Sequence, residues 1–338
     1  MAISYRRERL DRGIKARCDD IFALSSYREI LYLLLPRVVP IVSLLILPLL
    51  KDVIGLYWEK VLVITCTIAL LALSWDLLAS VGLASLGQAL FFGAGAYLAG
   101  FLNDTFGWPP LFTIPAATLG GGLLCVLLLL PVLRLRGIYF TLITLALPLL
   151  LMRVIEATKI LGGTEGMSAL TPLPNIWVEL YVPILAVLLC LFGFRRLINT
   201  DYGLVLRGIR DSDRSVMAGG VNIYWYKAQV VFIASATGAF AGAFLTHFYQ
   251  FVGMPAFALD YSILPLTCAI LGGTGTFAGA MLGAFILVPL SEFLRALGTL
   301  RVVFYCIILV AFVVGLPEGL FHYIQRRYHQ FERLVSIE

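Results

Sequence analysis

Long apolar runs follow one another along most of this chain, separated by short polar or glycine-rich stretches. Ten runs have the length of a helix or half-helix, at roughly 32–50, 60–81, 84–102, 110–133, 137–157, 177–194, 228–249, 261–273, 275–294 and 301–316. A bilayer core needs about 20 apolar residues per helix, so most of these runs predict membrane-spanning helices. Pro36, Arg37 and Pro40 interrupt the first run and the eighth is short, which leaves a count of eight to ten spans open.

Composition supports the same fold class. Of the 338 residues, 60% are hydrophobic and only 13% are charged, and the mean hydropathy is +0.94. A soluble domain of this length needs far more charge to cover its surface. The sequence therefore predicts an all-α polytopic membrane protein with about ten transmembrane helices and Gly-rich broken segments.

The placement of the basic residues predicts the orientation. With ten spans, most of the 25 Lys and Arg residues fall on one side of the membrane, together with both termini. Because cytoplasmic loops are rich in Lys and Arg, that side is expected to be the cytoplasm. The predicted organisation is a cytoplasmic tail over 1–31, a transmembrane domain over 32–316 with a long cytoplasmic loop at 198–227, and a cytoplasmic tail over 317–338. This placement explains the net charge of +5 without nucleic acid.

Signatures of soluble enzymes and of cofactor sites are not evident. Gly273, Gly275 and Ala278 imitate a dinucleotide fingerprint, but no βαβ unit surrounds them, and a P-loop lysine is missing. The three histidines have no metal-ligand spacing, and most cysteines lie in apolar runs where they are expected to pack as small side chains. We therefore expect no enzyme activity, no cofactor and no metal.

The loop at 198–227 is too long for a simple turn between helices. Val205, Leu206, Ile209, Val216 and Met217 recur at helical spacing, while a charged stripe follows the other face at Arg207, Arg210, Asp211 and Arg214. Gly219 and Gly220 suit a helix end. The pattern predicts a short amphipathic helix over about 203–218, which either docks into a partner or lies on lipid headgroups.

Glycines recur every four residues at two places. Gly275, Gly279 and Gly283 form one series, and Gly238 and Gly242 form another. On a helix this spacing places glycines on one face, where two backbones can approach closely. Such a face is expected either to pack helices tightly or to line a pore.

Four stretches, in order and with plausible spacing, resemble the ABC permease family for branched-chain amino acids, and its LivM-like subunits in particular. They are Gly82–Gly93, Arg134–Thr141, Gly203–Ser212 followed by Gly220–Asn222, and Ser262–Thr276. The resemblance implies an ABC importer permease fold that moves branched-chain amino acids, or a similar small polar solute such as urea or an amide, into the cytoplasm across a bacterial inner membrane.

The family resemblance also implies partners. They are a second homologous permease subunit, two cytoplasmic ATPase subunits, a periplasmic solute-binding protein and the lipid bilayer, with no nucleic acid. The helix in the 198–227 loop would couple the ATPases to the membrane helices. By this resemblance, the coupling residues are Gly203, Arg207, Ile209, Arg210, Asp211 and Gly220. The exposed loop around Glu165 is a candidate contact for the binding protein.

The expected translocation path follows the Gly-rich stretches, since irregular backbone within the membrane lines a cavity or is buried in protein. A helix end at Gly82–Ser85 is expected to offer free N–H groups to a solute carboxylate. The candidate path residues are Asp76, Ser85, Gln88, Thr141, Thr144, Gly272, Gly273 and Gly275. The two threonines could instead bond within their own helix, and Gln88 could make a contact between helices.

Asp76 departs from the family pattern, which usually has Asn there. A charge inside an apolar segment is costly unless it is paired or solvated. Three explanations follow: Asp76 faces a water-filled cavity, binds a basic partner or is protonated. The same residue leaves open an alternative function, an ion-coupled secondary transporter or a passive channel that uses Asp76.

Overall fold

The computed structural model describes residues 5–9, 38–50, 55–135, 137–298, 300–315, 319–329 and 332–336. This part of the chain is mostly helical. In chain order the helices are α1 (Val38–Leu49), α2 (Leu56–Ala79), α3 (Gln88–Phe106), α4 (Pro110–Leu129), α5 (Ile138–Thr158), α6 (Ile176–Ile198), α7 (Asp201–Asp211), α8 (Asp213–Ala218), α9 (Ile223–Tyr249), α10 (Asp260–Gly272), α11 (Ala278–Phe293), α12 (Leu300–Gly315) and α13 (Leu320–His329).

Two small antiparallel sheets accompany the helices. Strand β1 (Tyr5–Arg9) pairs with β4 (Glu332–Ser336), which joins the two ends of the chain. Strand β2 (Met167–Ser168) pairs with β3 (Phe251–Val252). Apart from 5–9, the predicted N-terminal tail over 1–31 lies outside the described residues. The predicted C-terminal tail over 317–338 is described at 319–329 and 332–336.

Each of the ten apolar runs corresponds to a helix in the described ranges, but the predicted count of about ten spans is not confirmed. Within these ranges, six helices are long and apolar enough to cross a membrane: α2, α4, α5, α6, α9 and α10 with the 3₁₀ turn before it. Helices α1 and α11 are apolar but shorter, and α12 has 16 residues. The structure therefore supports a multi-pass protein with at least six candidate spans.

Several predicted bounds are wrong. Helix α3 begins at Gln88 and not near residue 84, because a non-helical stretch follows the end of α2. Helix α11 begins at Ala278, so Gly275 lies in the preceding turn and not on a helical face with Gly279 and Gly283. The predicted helix over 203–218 is two helices, because extended backbone at Ser212 (φ −159°) separates α7 from α8.

Helix α2 forms the centre of the bundle. In its most apolar window 89% of the residues are buried, against 22% for α5, so α5 lies at the periphery. Helices α3, α4 and α9 pack against one another through small residues. A Cβ on Gly242 of α9 would lie 2.0 Å from the carbonyl oxygen of Phe92 in α3, and one on Gly95 of α3 would meet the backbone of Ala239. The glycine pair in α9 therefore serves close helix packing.

Contacts between loops define two ends of the bundle. At one end Arg210 of α7 packs on Gly82, and Gly319 packs on Gly273. At the other end β2 pairs with β3, and the Tyr57 hydroxyl donates a hydrogen bond to Glu292 at 2.6 Å. We call these the α7 end and the sheet end.

Candidate coupling surface and translocation path

Helix α7 has one buried face and one exposed face. Gly203, Leu206 and Ile209, spaced by three residues, are buried against the bundle, whereas Arg207, Arg210 and Asp211 are exposed. This separation follows the predicted amphipathic pattern. Exposed apolar side chains accompany the charges: Leu204 is 69% exposed and Met217 is 39% exposed. Met217, which the spacing assigns to the apolar face, is thus exposed, whereas Leu206 and Ile209 of that face are buried in the chain's own bundle.

Both ends of α7 touch the membrane helices through backbone. A Cβ on Gly203 would lie 2.1 Å from the carbonyl oxygen of Ile198, the last residue of α6. At the other end, a Cβ on Gly82 would lie 3.4 Å from the Cα of Arg210. A side chain at Gly203 would displace α7, whereas Gly82 and Arg210 are in ordinary van der Waals contact. The two contacts place both ends of the helix against the bundle.

Helix α8 is attached to α9 by an ion pair that sequence reasoning missed. The Lys227 ammonium lies 2.9 Å from a carboxylate oxygen of Asp213, and the two side chains are only 5% and 13% exposed. The Ser212 hydroxyl accepts a hydrogen bond from the Ser215 N–H and caps α8. The sequence feature that could have indicated this pair is Lys227, a single lysine near the start of the apolar helix α9.

The end of α8 agrees with the sequence prediction. The helix ends at Ala218, Gly219 follows as its C-cap, and Gly220 has a φ of +80°. Tyr202 of α7 lies against Tyr226 with ring centroids 5.3 Å apart. Burial, with a smaller contribution from Tyr226, raises the pKa of Tyr202 to about 12, so its hydroxyl stays neutral.

The stretch between α2 and α3, residues 80–87, is held by side chains of neighbouring helices. The Thr141 hydroxyl donates to the Ala84 carbonyl at 2.7 Å, and the Thr144 hydroxyl accepts from the Leu86 N–H at 3.1 Å. Trp75 Nε1 donates to the Ser85 carbonyl at 2.7 Å. Both threonines therefore bond across to this stretch as well as within α5.

Two of the N–H groups at the expected helix end, Gly82–Ser85, have partners within the chain. The Gly82 and Leu83 N–H groups donate to carbonyls at the end of α2, and the Gly87 N–H donates to the Ser85 hydroxyl at 3.0 Å. The first turn of α3 also has a partner, since the Ala89 N–H donates to the Ser262 hydroxyl of α10. These backbone donors are occupied within the chain.

Gln88 is fully buried at the start of α3. The Ser74 hydroxyl lies 3.1 Å from the Gln88 Oε1 and 2.8 Å from the Ala234 carbonyl of α9, and its single proton is shared between these two acceptors. The Gln88 Nε2 has no hydrogen-bond partner among the described residues. Gln88 therefore makes the contact between helices that the sequence allowed, and it retains one unused donor.

Asp76 has partners that the sequence did not reveal. The residue is fully buried in α2. Its two carboxylate oxygens accept from the backbone N–H groups of Gly275, at 2.6 Å, and Phe277, at 2.9 Å. Each oxygen therefore has a backbone N–H partner, and the Arg210 guanidinium acts on the same carboxyl electrostatically. Hydrogen bonds from backbone N–H groups stabilise a carboxylate in a buried site.

The three path glycines lie at the turn between α10 and α11, and each is in close contact with backbone or carboxylate groups. Gly272 packs on Gly279, where an added Cβ would lie 1.8 Å from the carbonyl oxygen, and Gly273 packs on Gly319. Gly275 has a φ of +83° and donates its N–H to Asp76. Close backbone packing explains Gly272, and positive φ values of +108° and +83° explain Gly273 and Gly275.

The sheet end has its own hydrogen-bonded cluster. Asn103 donates to the carbonyl of Trp108 at 2.7 Å, and its Oδ1 accepts from the Thr171 N–H at 3.0 Å. His247 contacts Thr113 at 2.6 Å and the Thr171 carbonyl at 2.9 Å. Nearby, a cavity of about 220 Å³ opens between α3, α9 and β3, lined by aromatic and small apolar residues. Glu165 is exposed at this end.

The geometry defines a class of protein: a multi-pass helical membrane protein with two short helices, α7 and α8, that carry exposed charges at one end. We call α7 and α8 the projection. A family model described as the permease component of branched-chain amino acid transport systems matches residues 57–314. The chain therefore belongs to the family of branched-chain amino acid transport permease components.

Curated relatives carry the same description. The chain is 27% identical over 271 residues to the high-affinity branched-chain amino acid transport system permease protein LivM of Escherichia coli, and the match covers 71% of this chain and 64% of the relative. It is 26% identical over 216 residues to the probable branched-chain amino acid transport permease protein LivM of Methanocaldococcus jannaschii, covering 57% and 63%. The chain thus spans less than two thirds of the length of these relatives. No solved structure matches significantly.

Proposed function

We propose that this chain is the transmembrane permease subunit of an ATP-binding-cassette importer, which moves branched-chain amino acids or a similar small polar solute into the cytoplasm. ATP hydrolysis is carried out by separate ATPase subunits, so the chain itself is not an enzyme. A second homologous permease subunit completes the pore, and a periplasmic solute-binding protein delivers the solute. The family and the names of the relatives support this proposal.

The observation that carries the proposal is the projection formed by α7 and α8. Arg207, Arg210 and Asp211 are exposed beside Leu204 and Met217, and both helices are fixed to the bundle by backbone contacts and the Asp213–Lys227 ion pair. A rigid surface that mixes charged and apolar side chains is suited to docking a protein partner. We propose that Gly203, Ile209 and Gly220 set its shape and that the exposed residues contact the ATPase.

The topology proposed with this function places the α7 end in the cytoplasm of a bacterial inner-membrane protein, together with both tails. With ten spans, the charge pattern assigns the stretches at 134–136, 195–227 and 317–338 to the cytoplasmic side. The alternation of spans then places the breaks near residues 82 and 274 on the same side. Contacts of Gly82 with Arg210 and of Gly273 with Gly319 support that assignment. The sheet end would then face the periplasm, where Glu165 is available to the binding protein. The transmembrane domain is proposed to cover residues 32–316.

The proposed path leads from the cavity at the sheet end towards the broken backbone after α2. Ser85, Gln88, Thr141 and Thr144 lie around that stretch, and the unused Gln88 donor favours a role in polar contact with a solute. We propose that Asp76, Gly272, Gly273 and Gly275 shape the inner part of the path and do not bind the solute. Selection of the solute is expected to occur mainly on the binding protein.

An ion-coupled transporter or passive channel that uses Asp76 has weaker support. Such a mechanism needs carboxylate oxygens that can bind the driving ion. Both Asp76 oxygens already accept hydrogen bonds from Gly275 and Phe277. This engagement favours a role of Asp76 in holding the structure together.

Reconstitution into proteoliposomes tests the proposed function. The chain is assembled with candidate ATPase, second-permease and solute-binding subunits from its gene neighbourhood, and uptake of labelled leucine, valine and urea is measured. We expect uptake that requires ATP and the binding protein, and no uptake by the chain alone under a proton or sodium gradient. Gradient-driven uptake by the chain alone would contradict the importer and favour the secondary transporter.

A further inference from the structure

The contact between Asp76 and the α10–α11 turn joins parts of the chain that are far apart in sequence. Asp76 lies near the α7 end of α2, three residues before that helix ends at Ala79. Its carboxylate accepts both the Gly275 and the Phe277 N–H groups. Through one side chain, the central helix is therefore tied to the turn that connects α10 with α11.

The turn itself has a strained backbone. Phe277 has a φ of +52° and a ψ of −48°, and the Ala278 N–H donates to the Thr276 carbonyl, which is the hydrogen bond of a γ-turn with positive φ. That conformation is rare for a residue with a side chain and needs support from its surroundings. The bond from the Phe277 N–H to Asp76 supplies part of that support.

The same turn contacts the helix that leads into the projection. The Phe277 ring is buried and lies edge-on to Phe194 of α6, with ring centroids 5.8 Å apart. Four residues after Phe194, α6 ends at Ile198, where Gly203 of α7 packs on its backbone. A displacement of the first turn of α7 therefore reaches the α10–α11 turn through α6.

The last turn of α7 reaches Asp76 from the other direction. The Arg210 backbone packs on Gly82, three residues after α2 ends at Ala79. Gly82 is joined to α2 by its N–H bond to the Ala79 carbonyl. Both ends of α7 thus contact elements that meet at Asp76.

We propose that Asp76 is a positioning residue that couples the projection to the membrane helices, by holding the α10–α11 turn against α2. Movement of α7 and α8 would then displace α2, α10 and α11 together. The inference rests on the proposed importer function, because ATPase subunits bound at the α7 end are what would move α7 and α8. Coupling of this kind needs a physical element that both sites displace, and the Asp76 contact is that element.

A carboxylate is suited to this role because it offers two acceptors to two backbone donors. In Asp76→Asn, one amide oxygen remains as an acceptor and the NH₂ group faces the other N–H. In Asp76→Ala, both donors lose their partner.

The importer complex carrying each variant is reconstituted with its ATPase and binding-protein subunits, and the amount of leucine transported per ATP hydrolysed is measured.

We expect transport per ATP to fall about fivefold or more in Asp76→Ala, the lower range of allosteric coupling, and to fall less in Asp76→Asn. ATPase subunits should still co-purify with both variants. The matched control is Asn103→Ala, which removes a side chain with several hydrogen bonds at the sheet end. That control should leave transport per ATP unchanged.

The outcomes separate the two claims. Wild-type complex without ATP-driven uptake would overturn the proposed function and the inference with it. If wild-type uptake is normal and both Asp76 variants transport as much leucine per ATP as the wild type, the coupling role alone would be overturned. A role in folding only would lower the yield of complex but leave transport per ATP intact. If neither variant assembled, the contact would be assigned to folding and the coupling role would be rejected.

Discussion

At the residue scale, the break between α2 and α3 shows how the chain keeps irregular backbone inside the bundle. Backbone groups without partners are costly in lipid, so such a stretch has to be satisfied by neighbouring protein. Thr141 and Thr144 of α5, Trp75 of α2 and Ser262 of α10 supply those partners. The broken stretch is therefore an ordered part of the structure.

Thr144→Val tests that account. The substitution keeps the shape of the side chain but removes the acceptor of the Leu86 N–H, which should cost about 1–3 kcal/mol of unfolding free energy. The control is Thr65→Val, because Thr65 is equally buried but its hydroxyl bonds only to the Val61 carbonyl of its own helix. Thermal unfolding in detergent should show a clearly lower midpoint for Thr144→Val than for Thr65→Val. Equal midpoints would contradict the role of Thr144.

At the element scale, α7 and α8 depend on tertiary contacts because each is short. Isolated helices of 11 and six residues are marginal in water. Buried Leu206 and Ile209 hold α7 on the bundle, and the Asp213–Lys227 ion pair holds α8. The projection is therefore stabilised by packing and by one charge pair.

A double-mutant cycle measures that pair. Asp213→Ala removes the Lys227 partner in a poorly exposed site and should destabilise the projection by about 1.5–3 kcal/mol, the range for a hydrogen bond to a charged group. Asp213→Ala with Lys227→Met removes both charges and should cost less than the sum of the single changes. Limited proteolysis within residues 212–220 reports the opening of the projection. Additive effects would show that the pair contributes nothing.

At the scale of the whole molecule, apolar periodicity predicted where the helices lie but not how they meet. Each of the ten runs contains a helix within the described residues, because burial in lipid or in the bundle selects the same apolar residues. The break at Ser212 was predictable in principle, since Ser followed by Asp is typical of a helix start. The Asp76 contact was not, because its donors are backbone N–H groups about 200 residues away. Strands β2 and β3 are too short to leave a pattern.

The most direct measurement of the central claim compares how much ATPase co-purifies with two charge-reversal variants. Arg207→Glu with Arg210→Glu changes the exposed face of the projection, and Arg195→Glu with Arg196→Glu makes the same change at the same end, on the exposed face of α6. We expect the first pair to lose most of the bound ATPase while the chain still inserts into the membrane, and the second pair to retain it. Full retention of ATPase by the Arg207 and Arg210 variant would contradict docking at this surface.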